Sequence, residues 1–402
     1  MKLAALIAAY HEAEAPDAGL RATLPLAGRT LVERQARLAA SAGASPILLY
    51  VERVPPELLA AIERLRNEGV PVRLARSASE AAEAVDVDDR LLLVGDGFVS
   101  DEAHVGRLVA AGANTLLTIP DLGVDDRFER IDAGSRWAGL ALLTGQALKQ
   151  TAAILEDWDL QSTLLRRAVQ GGVRQFSVRG QLADAQLTIV TGRADLIPIE
   201  KHILEGAVAR RDSWISRYLL APAEQAATRL LMPTVVMPEW LRMLSVALTA
   251  VAAFLFAKQW LWLGGALMLL STPLDDIADR LGTLRMQGGH EKSWWTYLLP
   301  AVAGAALLTL SYSLAFAVGW GCLPLAVATL GFLAALWIEV GAREIEGMIF
   351  LADRKGMIWL MLPFAITDSW LAGLFALAFY AAGSFFWAQH QVHRRMSIPR
   401  PE

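Results

Sequence analysis

Cysteine is nearly absent: Cys322 is the single one in 402 residues, and it sits inside an apolar run. One thiol excludes an intrachain disulfide framework and a cysteine-based zinc site, and its surroundings predict small-residue packing. An excess of either charge is also missing, with 37 Lys and Arg against 41 Asp and Glu and a formal charge of −4. That balance gives no reason to expect a nucleic-acid partner. A signal peptide is not readable at the start. The apolar stretch Leu3–Ala9 is short and runs into the acidic His11–Glu14 stretch instead of a small-residue cleavage site. It reads as a buried first strand, which predicts a cytoplasmic first half.

What is present is hydrophobicity, 54% of the chain, unevenly spread. Charged residues crowd the first half, and from about Met243 long apolar runs dominate. This split predicts a soluble domain followed by a membrane domain.

The first half alternates strand-like and helix-like segments. Leu3–Ala9, Pro46–Val51, Val70–Ala75 and Leu91–Val94 read as strands, with Asn114–Ile119 and Trp137–Leu143 following. Thr30–Ala42 and Pro56–Glu68 read as helices, closed by Gly43 and Gly69. Short strands between amphipathic helices predict an α/β domain, a mostly parallel sheet in three layers. Ligands of such sheets bind beyond the carboxyl ends of the strands, here the loop after Ala9 and the Gly95–Asp101 turn. Asp96 between two glycines also has an ordinary reading as a turn residue.

The segment LPLAGRTLVERQARLAASAGA (Leu24–Ala44) resembles the MobA-like nucleotidyltransferases, and LLLVGDG (Leu91–Gly97) resembles the place where that family carries a metal-binding aspartate. The resemblance implies nucleotide transfer from an NTP, with Asp96 holding Mg²⁺ or Mn²⁺ against the triphosphate. The stretch DRFERIDAGSRWAGLALL has the family's look too, with Gly139 passing close to the acceptor. The family's first loop is glycine-rich, so that backbone N–H groups wrap phosphates. Here Ala9–Asp17 has no glycine and carries two glutamates and an aspartate, and Arg21 falls near the family's lysine.

Residues 199–238 read as a juxtamembrane linker. Arg210, Arg211, Arg217 and Arg229 stand among Trp214, Ile215, Leu219 and Leu230. That pattern fits an interfacial helix facing anionic headgroups, or an ordinary amphipathic helix packed on its own domain. Six spans are predicted within 239–390: Met243–Ala257, Trp260–Leu274, Tyr297–Gly319, Cys322–Val340, Gly347–Ile366 and Trp370–Ala388. The basic tail, 391–402, holds Arg394, Arg395 and Arg400 and favours a cytoplasmic carboxyl terminus. An even number of spans then places both termini on the cytoplasmic side of an inner (cytoplasmic) membrane.

Between the second and third spans lies STPLDDIADRLGTLRMQGGHEKSWW, Ser271–Trp295. On a helix Asp275 and Asp279 share a face, as do Asp276 and Asp279. Three carboxylates so close repel one another unless a divalent cation relieves them, or Arg280 and Arg285 do so in part. A solvated loop of alternating charge is the plain alternative.

This region resembles the CDP-alcohol phosphotransferases, six-helix membrane enzymes with the signature D-x-x-D-G-x-x-A-R, then G-x-x-x-D-x-x-x-D. Met237–Ser245 resembles that family's entry into its first span, and some members carry a nucleotidyltransferase-like domain ahead of the bundle. Asp276 and Asp279 reproduce D-x-x-D. The next Gly falls on Arg280, the Ala-Arg pair on Thr283 and Leu284 with Arg285 one residue on, and the later Gly on Ser293. The last two aspartates fall on Tyr297 and Ala301; a register starting at Asp275 puts Ala278 at the second aspartate. The resemblance implies metals on Asp276 and Asp279, with Asp275 beside them on the same run, and a base at the last aspartate, which is absent; His290 and Glu291 lie nearby and could supply one. It implies a nucleotide (CTP or a CDP-alcohol) and a lipid or polyol acceptor as partners, Arg343 holding an acceptor phosphate or pairing at a helix end, and homodimers. Two readings stay open: a transferase making a phospholipid or other polar phosphodiester head group, and a non-catalytic nucleotide-, lipid- or partner-binding membrane protein on the same scaffold.

Overall fold

Six consecutive buried residues, Leu3–Ala8, form β1, the strand around which the first half is built. Its side chains alternate between two cores, as strand geometry requires. Ala5 and Ile7 enter one core, and Ala4 and Leu6 the other. The computed structural model describes every residue except 15–18, 122–125, 156–157, 179–186, 210–212, 233, 235, 287–294, 341–347 and 397–402. Two units result: Met1–Glu205 with Leu284–Gly289, and Gly206–Thr283 with His290–Glu402.

The first unit carries β2 (Pro25–Leu26), β3 (Arg29–Thr30), α1 (Leu31–Ser41), β4 (Ile47–Tyr50), α2 (Pro56–Asn67), β5 (Val72–Ala75), α3 (Ala78–Glu83) and β6 (Arg90–Val94). Next come β7 (Phe98–Ser100), α4 (Glu102–Ala111), β8 (Thr115–Pro120), β9 (Ser135–Thr144), α5 (Gly145–Ala152), α6 (Leu160–Gln170), β10 (Arg174–Ser177) and β11 (Leu187–Ile189). Seven strands make one sheet in the order β10-β8-β9-β6-β1-β4-β5. Pairings of β1 with β4 and β6, β4 with β5, and β10 with β8 are parallel. The sheet is mixed, because β9 runs antiparallel between β6 and β8. Helices α1, α2 and α4 pack on one face through Val32, Leu58 and Leu108. Helices α3, α5 and α6 pack on the other through Ala81, Leu148 and Leu164.

Ahead of α1, β2 and β3 form a tight hairpin with Ala27 and Gly28 both at positive φ, 53° and 76°. This is the two-residue turn whose twist matches paired strands. Helix α1 then starts on a capping box, in which Glu33 accepts from the Thr30 backbone N–H at 2.8 Å.

The second unit is helical: α7 (Leu196–Ala209) leads out of the first unit to α8 (Trp214–Tyr218), α9 (Ala221–Leu231), α10 (Pro238–Ala257), α11 (Leu261–Leu284), α12 (Trp295–Val318), α13 (Cys322–Val340), α14 (Arg354–Ile366) and α15 (Trp370–Met396). Among the described residues four segments are long and apolar enough to cross a membrane: Pro238–Ala257, Tyr297–Val318, Cys322–Val340 and Trp370–Arg394. Of the six expected spans, Trp260–Leu274 and Gly347–Ile366 are not among these four. Helix α14 has only 13 residues, about 20 Å at 1.5 Å per residue and short of a ~30 Å hydrocarbon core. Helix α11 has 24 residues, but its last part carries Asp275, Asp276, Asp279 and Arg280. Large apolar side chains such as Phe254, Phe316, Ile338 and Phe379 stay exposed on the spans, as a lipid-facing surface requires. Close approach is local: a Cβ on Gly264 would lie 2.5 Å from Phe256, and one on Gly373 2.4 Å from the Met361 sulfur.

Candidate functional site

In the first unit, the ends of β1, β4 and β6 bring Tyr10, Tyr50 and Asp96 together. Asp96 is 4% exposed and holds the loop after β1. Its Oδ2 accepts from the backbone N–H of Tyr10 at 2.9 Å and of His11 at 2.8 Å, and lies 3.2 Å from the His11 ring Nδ1. Gln161 on α6 accepts from the Asp96 backbone N–H at 3.1 Å. The Tyr10 hydroxyl donates to Asp159, whose other oxygen caps α6 by accepting from the Ser162 N–H at 2.7 Å. The Tyr10 ring meets Tyr50 edge-on at 5.6 Å.

Electrostatics follow from this packing. The hydrogen bond that His11 gives to the Asp96 carboxylate raises His11 above its ordinary value, against the opposing effect of burial. Burial and then Asp159 raise the Tyr10 phenol, so it stays a hydrogen-bond donor. Burial and then Asp159 also raise Glu129. Arg21, whose Nε donates to the Glu12 carbonyl at 3.1 Å, lies close enough to act electrostatically on His11. Sequence reasoning therefore placed Asp96 and Arg21 in one neighbourhood, and missed Tyr10, His11, Asp159 and Gln161. An uncharged Tyr and a Gln with no motif around them gave no signal.

Gly139 is required by packing. Its φ is 87° and an added Cβ would lie 2.3 Å from the Phe98 ring. Close packing against Phe98 demands glycine here, and the Gly139 carbonyl accepts from Gly95 N–H at 2.9 Å.

The second unit contains the acidic run, and here each carboxylate faces a cation of the chain itself. Asp275 lies 2.9 Å from Arg354 and 3.5 Å from Lys355. Asp276 pairs with Lys355 and accepts from the Ser216 hydroxyl on α8. Asp279, side chain 66% exposed, is 2.7 Å from Arg242 on α10. Arg280 turns away to the fully buried Glu224 on α9, at 2.5 Å. Burial, followed by Asp276, pushes the Glu224 carboxyl up to about 8. Glu224, Ser216, Arg354 and Lys355 were missed as partners, because they lie far from the aspartates in sequence.

A divalent ion was expected on Asp96, and on Asp275, Asp276 and Asp279. Mg²⁺ needs near-octahedral oxygen ligands. Among the described residues no group of three His, Cys, Asp or Glu side chains converges so as to hold one. At Asp96 one oxygen is spent on the loop, and the buried Oδ1, without a protein partner, is a single donor. At the other three aspartates, Arg354, Lys355 and Arg242 supply the neutralisation a metal would give. Arg285 lies in the first unit, beside Arg29 and Arg37, and not with these aspartates. His290, Glu291, Arg343, Arg210, Arg211 and Arg400 lie outside the described residues.

No protein-family model matches the chain, and no curated protein matches it. Among solved structures the chain is similar to a nucleotidyl transferase from Methanothermobacter thermautotroptrophicus, with 17% identity, a TM-score of 0.38, and coverage of 51% of this chain and 99% of that one. It is also similar to a putative glucose-1-phosphate thymidylyltransferase from Bacillus anthracis in complex with a sucrose, with 10% identity, a TM-score of 0.38, and coverage of 50% and 94%.

Proposed function

We propose that this protein is a multi-pass membrane protein that binds an amphipathic lipid, with a nucleotidyltransferase-like head and no phosphotransfer activity of its own. The observation that carries the binding half is a cavity of about 850 Å³ in the second unit. Phe256, Met268, Leu307, Trp337 and Met361 line it, and Asp353 and Arg354 give it one polar region. An apolar space with a few convergent polar groups is the usual form of a small-molecule site. Its apolar lining with a polar region at Asp353 and Arg354 suits an acyl chain with a polar end.

The absence of chemistry rests on the ion pairs. A CDP-alcohol transferase needs carboxylates that hold metals on a pyrophosphate and a base for the acceptor hydroxyl. Asp275 and Asp276 are instead held by Arg354 and Lys355. Tyr297 and Ala301 stand where the resembled family has its last aspartates. A CDP-alcohol phosphotransferase is the second reading, favoured by Asp276 and Asp279 keeping the D-x-x-D spacing on α11.

Two measurements on full-length protein test the proposal. Native mass spectrometry of protein released from gentle detergent is expected to show retained lipid in wild type. Gly265→Leu, which fills the cavity, is expected to retain several-fold less; equal retention would sink the lipid reading. Incubation with Mn²⁺ and labelled CDP-alcohols is expected to release no CMP, and release that Asp276→Asn abolishes would establish the second reading instead.

A further inference from the structure

The hairpin ahead of α1 turns Arg29 into the interior of the first unit, where it is 5% exposed. Its Nε and Nη2 are buried and have no acceptor among the described residues. Arg37, equally buried, gives Nε and Nη2 to Glu68 and Nη2 also to Glu33, and its Nη1 is left buried without an acceptor. Arg64 takes both oxygens of Glu33, at 3.0 and 2.9 Å. Arg285 is buried against the same group. Four guanidiniums, Arg29, Arg37, Arg64 and Arg285, thus surround two carboxylates, Glu33 and Glu68.

A guanidinium does not escape burial by losing its proton, and an unpaired one away from water is among the costliest arrangements in a protein. The strain is visible in the groups themselves. Burial, then repulsion by Arg29 and Arg37, pushes the Arg285 guanidinium down to about 10, and burial lowers Arg29. Glu33 offers no relief, since Arg64, Arg37, and the Thr30 N–H and hydroxyl already occupy its oxygens. The half-open side chains of Arg64 and Glu68, 33% and 23% exposed, lead from the cluster to solvent.

We propose that Arg29 and Arg37, with Arg285 beside them, form a binding site for a phosphate group, carried either by a phosphomonoester lipid headgroup or by free inorganic phosphate. The site is separate from the loop around Asp96 and from the cavity of the second unit, and it stands whether or not the lipid reading above holds. Three buried guanidinium N–H positions without an acceptor among the described residues, Nε and Nη2 of Arg29 and Nη1 of Arg37, match the several oxygens of a phosphate. Arginine is the side chain best suited to that geometry.

The test uses full-length protein. In detergent, its thermal midpoint and calorimetric binding are followed during titration with inorganic phosphate against chloride at matched ionic strength. In a second arm, the midpoint is compared between nanodiscs of phosphatidylcholine alone and nanodiscs also containing phosphatidic acid. Wild type is expected to gain several degrees from at least one phosphate source. A response to inorganic phosphate alone assigns a free anion, and a response to phosphatidic acid alone assigns a headgroup. Arg29→Gln is expected to bind the effective source at least tenfold more weakly, with Arg29→Lys in between; the Lys variant serves where the Gln variant does not fold. No response of wild type to either source, or an equal response in Arg29→Gln and Arg29→Lys, overturns the site.

Discussion

Lys355, the second residue of α14, reaches Asp276 on α11, a residue 79 positions earlier in the chain. The ammonium also lies 3.5 Å from Asp275, so one lysine serves two carboxylates. Breaking a buried pair by removing one partner leaves an uncompensated charge, at a cost of about 3–5 kcal/mol. Lys355→Met is therefore expected to lower the thermal midpoint of the detergent-solubilised protein sharply. Adding Asp276→Asn to it is expected to recover part of the loss. A double variant as unstable as the sum of the two singles would show that the pair is not coupled.

That pair also shows where sequence reading runs out. β1 was legible because its buried residues are consecutive in the chain, and α1 because Thr30, Glu33 and an apolar stripe mark its start and face. The antiparallel course of β9 was not legible, since nothing local distinguishes a strand inserted against its neighbours' direction. The acidic run was visible as residues, but its partners Arg354 and Lys355 were not, because they lie 79 positions further along the chain. Glu224 gave no signal within the 199–238 linker, yet it is fully buried. The apolar composition of α14 was visible in the sequence, while its length of 13 residues was not.

His11 and Asp96 predict a pH dependence. Their hydrogen bond raises the folded pKa of His11 above the ordinary 6.5. Stability from this contact is therefore full below that value and lost as pH rises through the higher folded value. The effect is modest, because the His11 side chain is 45% exposed. Wild type is expected to exceed His11→Gln in thermal midpoint at acidic pH, with the gap closing towards alkaline pH. A gap that widens with pH would contradict the assignment.

Glu224 predicts a second dependence in the other unit. Its carboxyl rises from 4.5 to about 8 in the folded protein, mainly through burial and then Asp276. Between those values the folded state holds more proton than the unfolded one, so stability from this group falls as pH rises. Glu224→Gln keeps the shape and removes the titration. The decline of the melting midpoint from pH 4.5 to 8 is expected to be shallower in that variant, and an unchanged slope would remove Glu224 as its source.

Gly139→Ala tests the packing explanation of that glycine. The added methyl would sit 2.3 Å from Phe98 on a backbone with φ of 87°. The expected loss is at least ~2 kcal/mol, from overpacking together with left-handed strain. Chemical unfolding measures it, and a variant as stable as wild type would contradict the packing account.

The most direct measurement is a Mn²⁺ titration of full-length protein followed by electron paramagnetic resonance, comparing wild type with Asp276→Asn. The closed ion pairs predict that neither protein takes up a stoichiometric ion and that the two titrations superimpose. A tightly bound Mn²⁺ in wild type that disappears in Asp276→Asn would contradict them.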